Sequence, residues 1–289
     1  MAVPGARIWF KVRGKGEPLL VLQGGGGTAD ASDGIADVLD GEYTIISLDR
    51  RGLRRSPLAD PTQPFGIEQH AEDALRLLDK LGVHKVHVFG SSFGAQIGLE
   101  LLLKQPERVK LLVAHEPPAT QLLAEDGRAR LRALRDEVLA LALREGPRAA
   151  LRRSLVAMGI DRDDREDDCE PPVSSREQSR DTGFLLTREV RAMDAHQPDT
   201  VALSRHARRI TPAFGVASRA FYPAECALAL AALLGREPVA FPGSHNGYVL
   251  RPRAFGARLA VVLREAGLDS RAFGNVCPDA EAASAPTAS

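Results

Sequence analysis

Apolar residues in the first third of the chain fall into short runs separated by turns and by stretches with helical spacing. Residues 6–13 (ARIWFKVR) alternate loosely and predict a strand; a turn at GKGEP leads to the apolar run Leu19–Leu22, read as a buried strand. Tyr43–Leu48 (YTIISL) is a third such run. Residues 67–81 (IEQHAEDALRLLDKL) place apolar side chains at helical spacing, and Gly82 stops that helix. Val86–Phe89 predicts a strand, Gln96–Lys104 a helix closed by Pro106, and Lys110–Ala114 another strand. Strands alternating with helices predict an α/β fold, a mainly parallel central sheet with helices on both faces.

The alternation breaks after residue 116. From 117 to 210 the chain is rich in Arg, Ala and Leu and predicts a helical insertion; its acidic run at 161–170 (DRDDREDDCE) reads as an exposed loop rather than a metal site. Alternation resumes with a strand at Ala213–Ala217, a helix over Ala224–Leu234, a strand at Pro238–Phe241 and a last helix from Arg253 to about Ala266. The expected organisation is a core made of 1–116 and 211–267, an insertion at 117–210, and a flexible tail at 268–289.

Composition narrows the function classes. Lys plus Arg (38) equal Asp plus Glu (38), so the basic excess of a nucleic-acid binder is missing. The cysteines Cys169, Cys226 and Cys277 are far apart and form no C-x-x-C pair, which disfavours a compact zinc site and suits a reducing compartment. The N-terminus lacks the apolar core of a signal peptide, and no run approaches the length of a membrane span. The expectation is a cytoplasmic protein acting on a small molecule, with neither a nucleic-acid nor a membrane partner, and with a homodimer allowed.

The chemistry centres on VHVFGSSFGAQ, where Gly90-Ser91-Ser92-Phe93-Gly94 matches G-x-S-x-G. A strand enters the motif and a helix leaves it, the setting in which a serine sits on a sharp bend with its hydroxyl exposed. Ser92 is therefore the candidate nucleophile, and Ser91 occupies the wrong slot. An attacked carbonyl develops an oxyanion and needs fixed donors. These are read as the N–H of Phe93 and an N–H from the run Gly24–Gly27, with Gly25 preferred and Gly26 second. That run matches neither nucleotide-binding fingerprint. Of the seven histidines, His245 in PGSHNGY follows a late strand, so it lies at the sheet edge that also carries the serine bend. It is the candidate base.

With these pieces in order, the sequence resembles the α/β-hydrolase superfamily, and within it bacterial small-molecule hydrolases with a cap over the active site. The resemblance rests on Gly24–Gly27, DRRGLRRSP, GSSFG, AHEPP at 114–118 and PGSHNGY at 242–248. It implies a serine hydrolase that needs no cofactor and acts on a small, hydrophobic ester, lactone or thioester. A cofactor-free cyclase, lyase or perhydrolase of haloperoxidase type on the same fold is the alternative. Serine at 92 argues against the epoxide- and haloalkane-opening relatives, which attack through a carboxylate. The acid that orients the histidine is out of its commonest place. The segment FGVASRAFYPAE carries Ser218 and Arg219 there, with Glu225 nearby. A second arrangement in the superfamily points to Glu116. His115, Phe184 and Met193 are expected to line the substrate pocket.

Overall fold

The apolar runs are unbroken because helices cover both faces of the sheet they build. The computed structural model describes residues 1–169 and 176–273. A short hairpin, β1 (Ala2–Val3) and β2 (Ala6–Arg7), precedes a seven-stranded sheet. The sheet comprises β3 (Phe10–Gly14), β4 (Glu17–Leu22), β5 (Tyr43–Leu48), β6 (Val86–Ser91), β7 (Val109–His115), β8 (Ile210–Gly215) and β9 (Val239–Phe241). Their spatial order is β3-β5-β4-β6-β7-β8-β9, with β3 antiparallel to β5 and all other pairs parallel. The expected strand over 6–13 is split, because the Trp9 N–H leaves the ladder for the Ser56 hydroxyl at 2.8 Å.

The helices are α1 (Asp33–Leu39), α2 (Ile67–Lys80), α3 (Phe93–Lys104), α4 (Glu125–Glu145), α5 (Pro147–Ala157) and α6 (Arg176–Phe184). A π-helical turn, Leu185–Glu189, continues into α7 (Val190–Ala195). They are followed by α8 (Thr200–Arg205), α9 (Tyr222–Leu234), α10 (Gly247–Leu250) and α11 (Pro252–Phe273). On β4, Leu20 and Leu22 join one buried cluster with α2 and α3. Leu19 and Val21 join another with α1 and α11. A period of two therefore fills two cores at once.

Two expectations need adjustment. Helix α8 packs on α3 and α9, and its Leu203 is fully buried in the core, so the helical insertion ends before Thr200. Helix α11 runs to Phe273, so residues 268–273 are not a tail; the rest of that segment, 274–289, lies outside the described residues. In the acidic run, Asp164 accepts from Arg251 at 2.6 Å, and Glu166 accepts the Arg253 and Ala254 N–H groups at 3.1 and 2.9 Å. The Glu166 carboxylate caps the N-terminus of α11, where unpaired amides favour negative charge, and Asp164 holds the Arg251 guanidinium just before it. Residue 170 of that run lies outside the described residues. No helix of the described residues is long and apolar enough to cross a membrane.

Candidate active site

Strand β6 ends at Ser91 and α3 begins at Phe93, which leaves Ser92 alone on the bend. Its backbone takes φ 53° and ψ −120°, a strained conformation for an L residue. Three hydrogen bonds hold it there: the Ser92 N–H donates to the His115 carbonyl at 2.8 Å, and the Ser92 carbonyl accepts from the Ala95 N–H at 2.9 Å and from the Gln96 N–H at 3.3 Å. The second bond explains why α3 starts directly behind the serine rather than at Gln96. Glycine at 94 is obligatory, because a methyl group there would lie 2.0 Å from the Leu22 carbonyl oxygen. Ser91 is 1% exposed, buried inside the sheet.

Next to β6, strand β7 ends at His115, and Glu116 turns out of it with φ 46°. The Glu116 N–H donates to the Ala213 carbonyl at 2.9 Å, and its carboxylate enters the space beyond β8 and β9. Glu116 Oε1 accepts the Gly215 N–H at 2.8 Å and the Ser218 hydroxyl, and Oε2 lies 2.5 Å from His245 Nδ1. Gly215 permits this convergence, since a methyl group on it would meet the Gly243 carbonyl oxygen at 2.6 Å. Burial alone would push the Glu116 carboxyl up. The hydrogen bond from His245, the adjacent imidazoles and the Ser218 hydroxyl outweigh that and lower it to about 2. Ser218, in the segment where an acid is commoner, supports the glutamate instead. Glu225 is paired with Arg130 at 3.0 Å and partly exposed. Residue 115 thus anchors the serine bend and residue 116 holds the histidine, which puts both at one corner of the sheet edge.

His115 does not line a pocket. It is fully buried among Phe89, Phe241 and Phe255, at ring distances of 6.5, 6.0 and 5.3 Å, and neither ring nitrogen has a partner among the described residues. Burial, reinforced by His245 and opposed by Glu116, lowers its pKa to about 4. Between pH 6.5 and 4 the unfolded chain takes up a proton that the native ring refuses, so native stability falls as pH drops through that window. The loss at pH 5 relative to pH 7 is about 2 kcal/mol. A phenylalanine of similar shape has nothing to protonate. His115→Phe is therefore expected to reduce the acid-induced drop in stability by that amount, measured by denaturant unfolding at pH 7 and pH 5. Identical pH dependence in the two proteins would contradict the assignment.

The glycine run after β4 forms a turn closed by the Gly27 N–H donating to the Gly24 carbonyl at 3.0 Å. The Gly26 N–H donates to Glu189 of the insertion at 2.8 Å, so the group expected as the second-choice oxyanion donor is already engaged. Gly24 N–H reaches the Tyr248 hydroxyl at 3.3 Å. Among the described residues nothing accepts from the N–H of Gly25 or of Phe93. The side chain over this turn is Leu185 of the insertion, whose Cδ1 would lie 2.5 Å from a methyl group on Gly25. Phe184, expected to wall the pocket, instead stacks on Phe65 at 5.7 Å and covers Gly52. Met193 packs on the core cluster beneath α2 and α3. A cavity of about 880 Å³ is lined by Gly26, Gly27, Thr28, Arg54 and Tyr248 among others, and neither Ser92 nor His245 belongs to that lining.

Sequence reasoning missed two residues here, Arg50 and Glu189. Arg50 is buried, with Nε donating to Glu189 at 2.9 Å and its Nη atoms to the Gln23 and Gly24 carbonyls at 2.7 and 2.9 Å. The doubled arginine of DRRG hints that one of the pair does something other than scaffolding; Arg51 is taken by Asp73 of α2. Nothing in the sequence marks Glu189, an acid among many in the insertion.

A strained serine between strand and helix, and a buried carboxylate–imidazole pair at the same sheet edge, define a class that comparison with known proteins also supports. The family described as alpha/beta hydrolase fold matches residues 17–144. A Bacillus subtilis (strain 168) protein, the uncharacterized hydrolase YraK, is 34% identical over 269 residues, covering 92% of this chain and 95% of its own. Solved structures share the fold at lower identity. A Pseudomonas aeruginosa protein assigned provisionally as an epoxide hydrolase is 21% identical with a TM-score of 0.70, covering 93% of this chain and 95% of its own. A thermophilic esterase from Thermogutta terrifontis is 19% identical with a TM-score of 0.64, over 92% and 96%. The chain belongs to the α/β-hydrolase superfamily.

Proposed function

We propose that the protein is a serine hydrolase that cleaves a small apolar ester, lactone or thioester through an acyl-enzyme on Ser92. The observation that carries this reading is the buried 2.5 Å contact between His245 Nδ1 and Glu116 Oε2, at the sheet edge that also carries the strained Ser92 bend. With Nδ1 facing the carboxylate, the nitrogen left to take the serine proton is Nε2. Ser92 Oγ attacks the carbonyl carbon as Nε2 accepts its proton, and the N–H groups of Phe93 and Gly25 receive the oxyanion. The imidazolium then gives that proton to the departing alcohol or thiol. Water, deprotonated by the same nitrogen, adds to the acyl-enzyme, and collapse releases the acid and restores the serine. Leu185 over Gly25 supplies an apolar wall beside the reacting carbonyl. The solved neighbours that include an esterase and an enol-lactonase fit acyl transfer, and serine rather than a carboxylate at 92 disfavours epoxide opening.

The test pairs turnover of 4-nitrophenyl acetate with labelling by a fluorophosphonate, followed by peptide mapping. Burst-phase release of 4-nitrophenol and a single label on the peptide containing Ser92 are expected. Turnover of a substrate with no label at Ser92 would favour a lyase or cyclase instead.

A further inference from the structure

We infer that Arg50 of the core and Glu189 of the cap are positioning residues that shape the oxyanion donors, so that the hole is complete only when the cap is seated. This rests on the acyl-transfer reading above. A run of glycines has no side chains with which to fix its own shape, and a single backbone bond closes the Gly24–Gly27 turn. From outside, the Tyr248 hydroxyl accepts the Gly24 N–H at 3.3 Å, and one ion pair holds the groups on either side of Gly25. Arg50 donates to the carbonyls of Gln23 and Gly24, and Glu189 Oε2 accepts the N–H of Gly26 while Oε1 binds Arg50 Nε at 2.9 Å. The pair thus fixes the residues on either side of Gly25 and leaves the Gly25 N–H uncommitted. The same guanidinium lies 5.0 Å over the ring of Phe93, whose N–H is the other donor.

Glu189 reaches the turn through a local irregularity. The π-helical turn Leu185–Glu189 places Leu185 on Gly25 and Glu189 on Gly26, and such turns recur at functional sites. Stability alone gives little reason for the pair. Arg50 is 2% exposed and Glu189 is completely buried, and a buried ion pair of this kind is often no more stabilising than well-packed apolar side chains.

Through-space charge and positioning predict opposite signs, which makes the inference testable. Glu189→Gln removes a negative charge near a developing oxyanion, and by charge alone that would speed acylation. Positioning predicts the reverse, because Arg50 and Gly26 bind different carboxylate oxygens and an amide offers an acceptor at only one of those two places. The expected result is a roughly 10- to 100-fold fall in kcat for 4-nitrophenyl acetate with KM within about threefold. The fluorophosphonate labelling rate is expected to fall in proportion. Arg50→Lys, which keeps the charge but loses the planar fork, is expected to behave alike. Unchanged or faster turnover in a folded variant, or a loss confined to KM, would overturn the inference. Amide hydrogen exchange gives a readout independent of activity: in Glu189→Gln the peptide containing residues 23–28 exchanges faster while peptides of β6 and α3 do not. Unaltered exchange at 23–28 would also overturn it. Faster exchange there, beside a wild type that neither cleaves esters nor takes the label, would support the bracing and sink the acyl-transfer reading.

Discussion

Ser92→Ala is expected to abolish hydrolysis of 4-nitrophenyl acetate, lowering kcat roughly a million-fold while leaving the fold intact. The size of the effect follows from the role proposed for the hydroxyl: without it no acyl-enzyme forms, and only binding and the oxyanion donors remain. The intact fold follows from the structure. The bend is held by the Ser92 N–H and carbonyl, at 2.8 and 2.9 Å from their partners, and alanine keeps both. Among the described residues nothing is bonded to Ser92 Oγ, so its loss leaves no buried partner stranded. The thermal midpoint is accordingly expected to move by no more than a few degrees. Residual turnover within tenfold of wild type would remove Ser92 from the mechanism and direct attention to a general-base route through His245. Loss of activity accompanied by unfolding would instead mean that the hydroxyl supports the bend.

The parts of this arrangement that were legible beforehand are those set by local pattern. Leu19–Leu22 and Val86–Phe89 had to be strands covered on both sides, and a G-x-S-x-G between strand and helix had to make a bend. The position of His245 at that sheet edge was legible from chain order alone, because a loop after a late parallel strand opens there. Glu116 was not. Its departure from β7 into left-handed backbone carries no signature in LLVAHEPP, and only a known variant arrangement suggested it. His115 misled for a physical reason. Neighbouring positions on a strand point to opposite faces, so the residue beside a site glutamate can belong wholly to the aromatic core under α11. Arg50 and Glu189 were the least legible, since their meeting joins residues 139 apart, one after β5 and the other in the insertion.

The contact between Glu116 and His245 yields the second large effect. Glu116→Gln is nearly isosteric, but the three donors around the carboxylate cannot all be satisfied by an amide. The Gly215 N–H and the Ser218 hydroxyl both aim at Oε1, while Oε2 faces His245 Nδ1. Two donors hold the amide oxygen on the Oε1 side, which turns the NH₂ group toward the histidine. Nδ1 must then act as acceptor, the ring proton moves to Nε2, and the nitrogen that should take the serine proton already carries one. The expected result is a fall in kcat of about ten-thousand-fold with a smaller change in KM, in a protein that still folds. Glu116→Asp keeps the charge but shortens the reach to His245. It is expected to retain more activity than the glutamine variant, because an acceptor still selects the productive tautomer. The opposite ranking, or a glutamine variant within tenfold of wild type, would show that the carboxylate serves the packing of β7 against β8 and that another group orients the base.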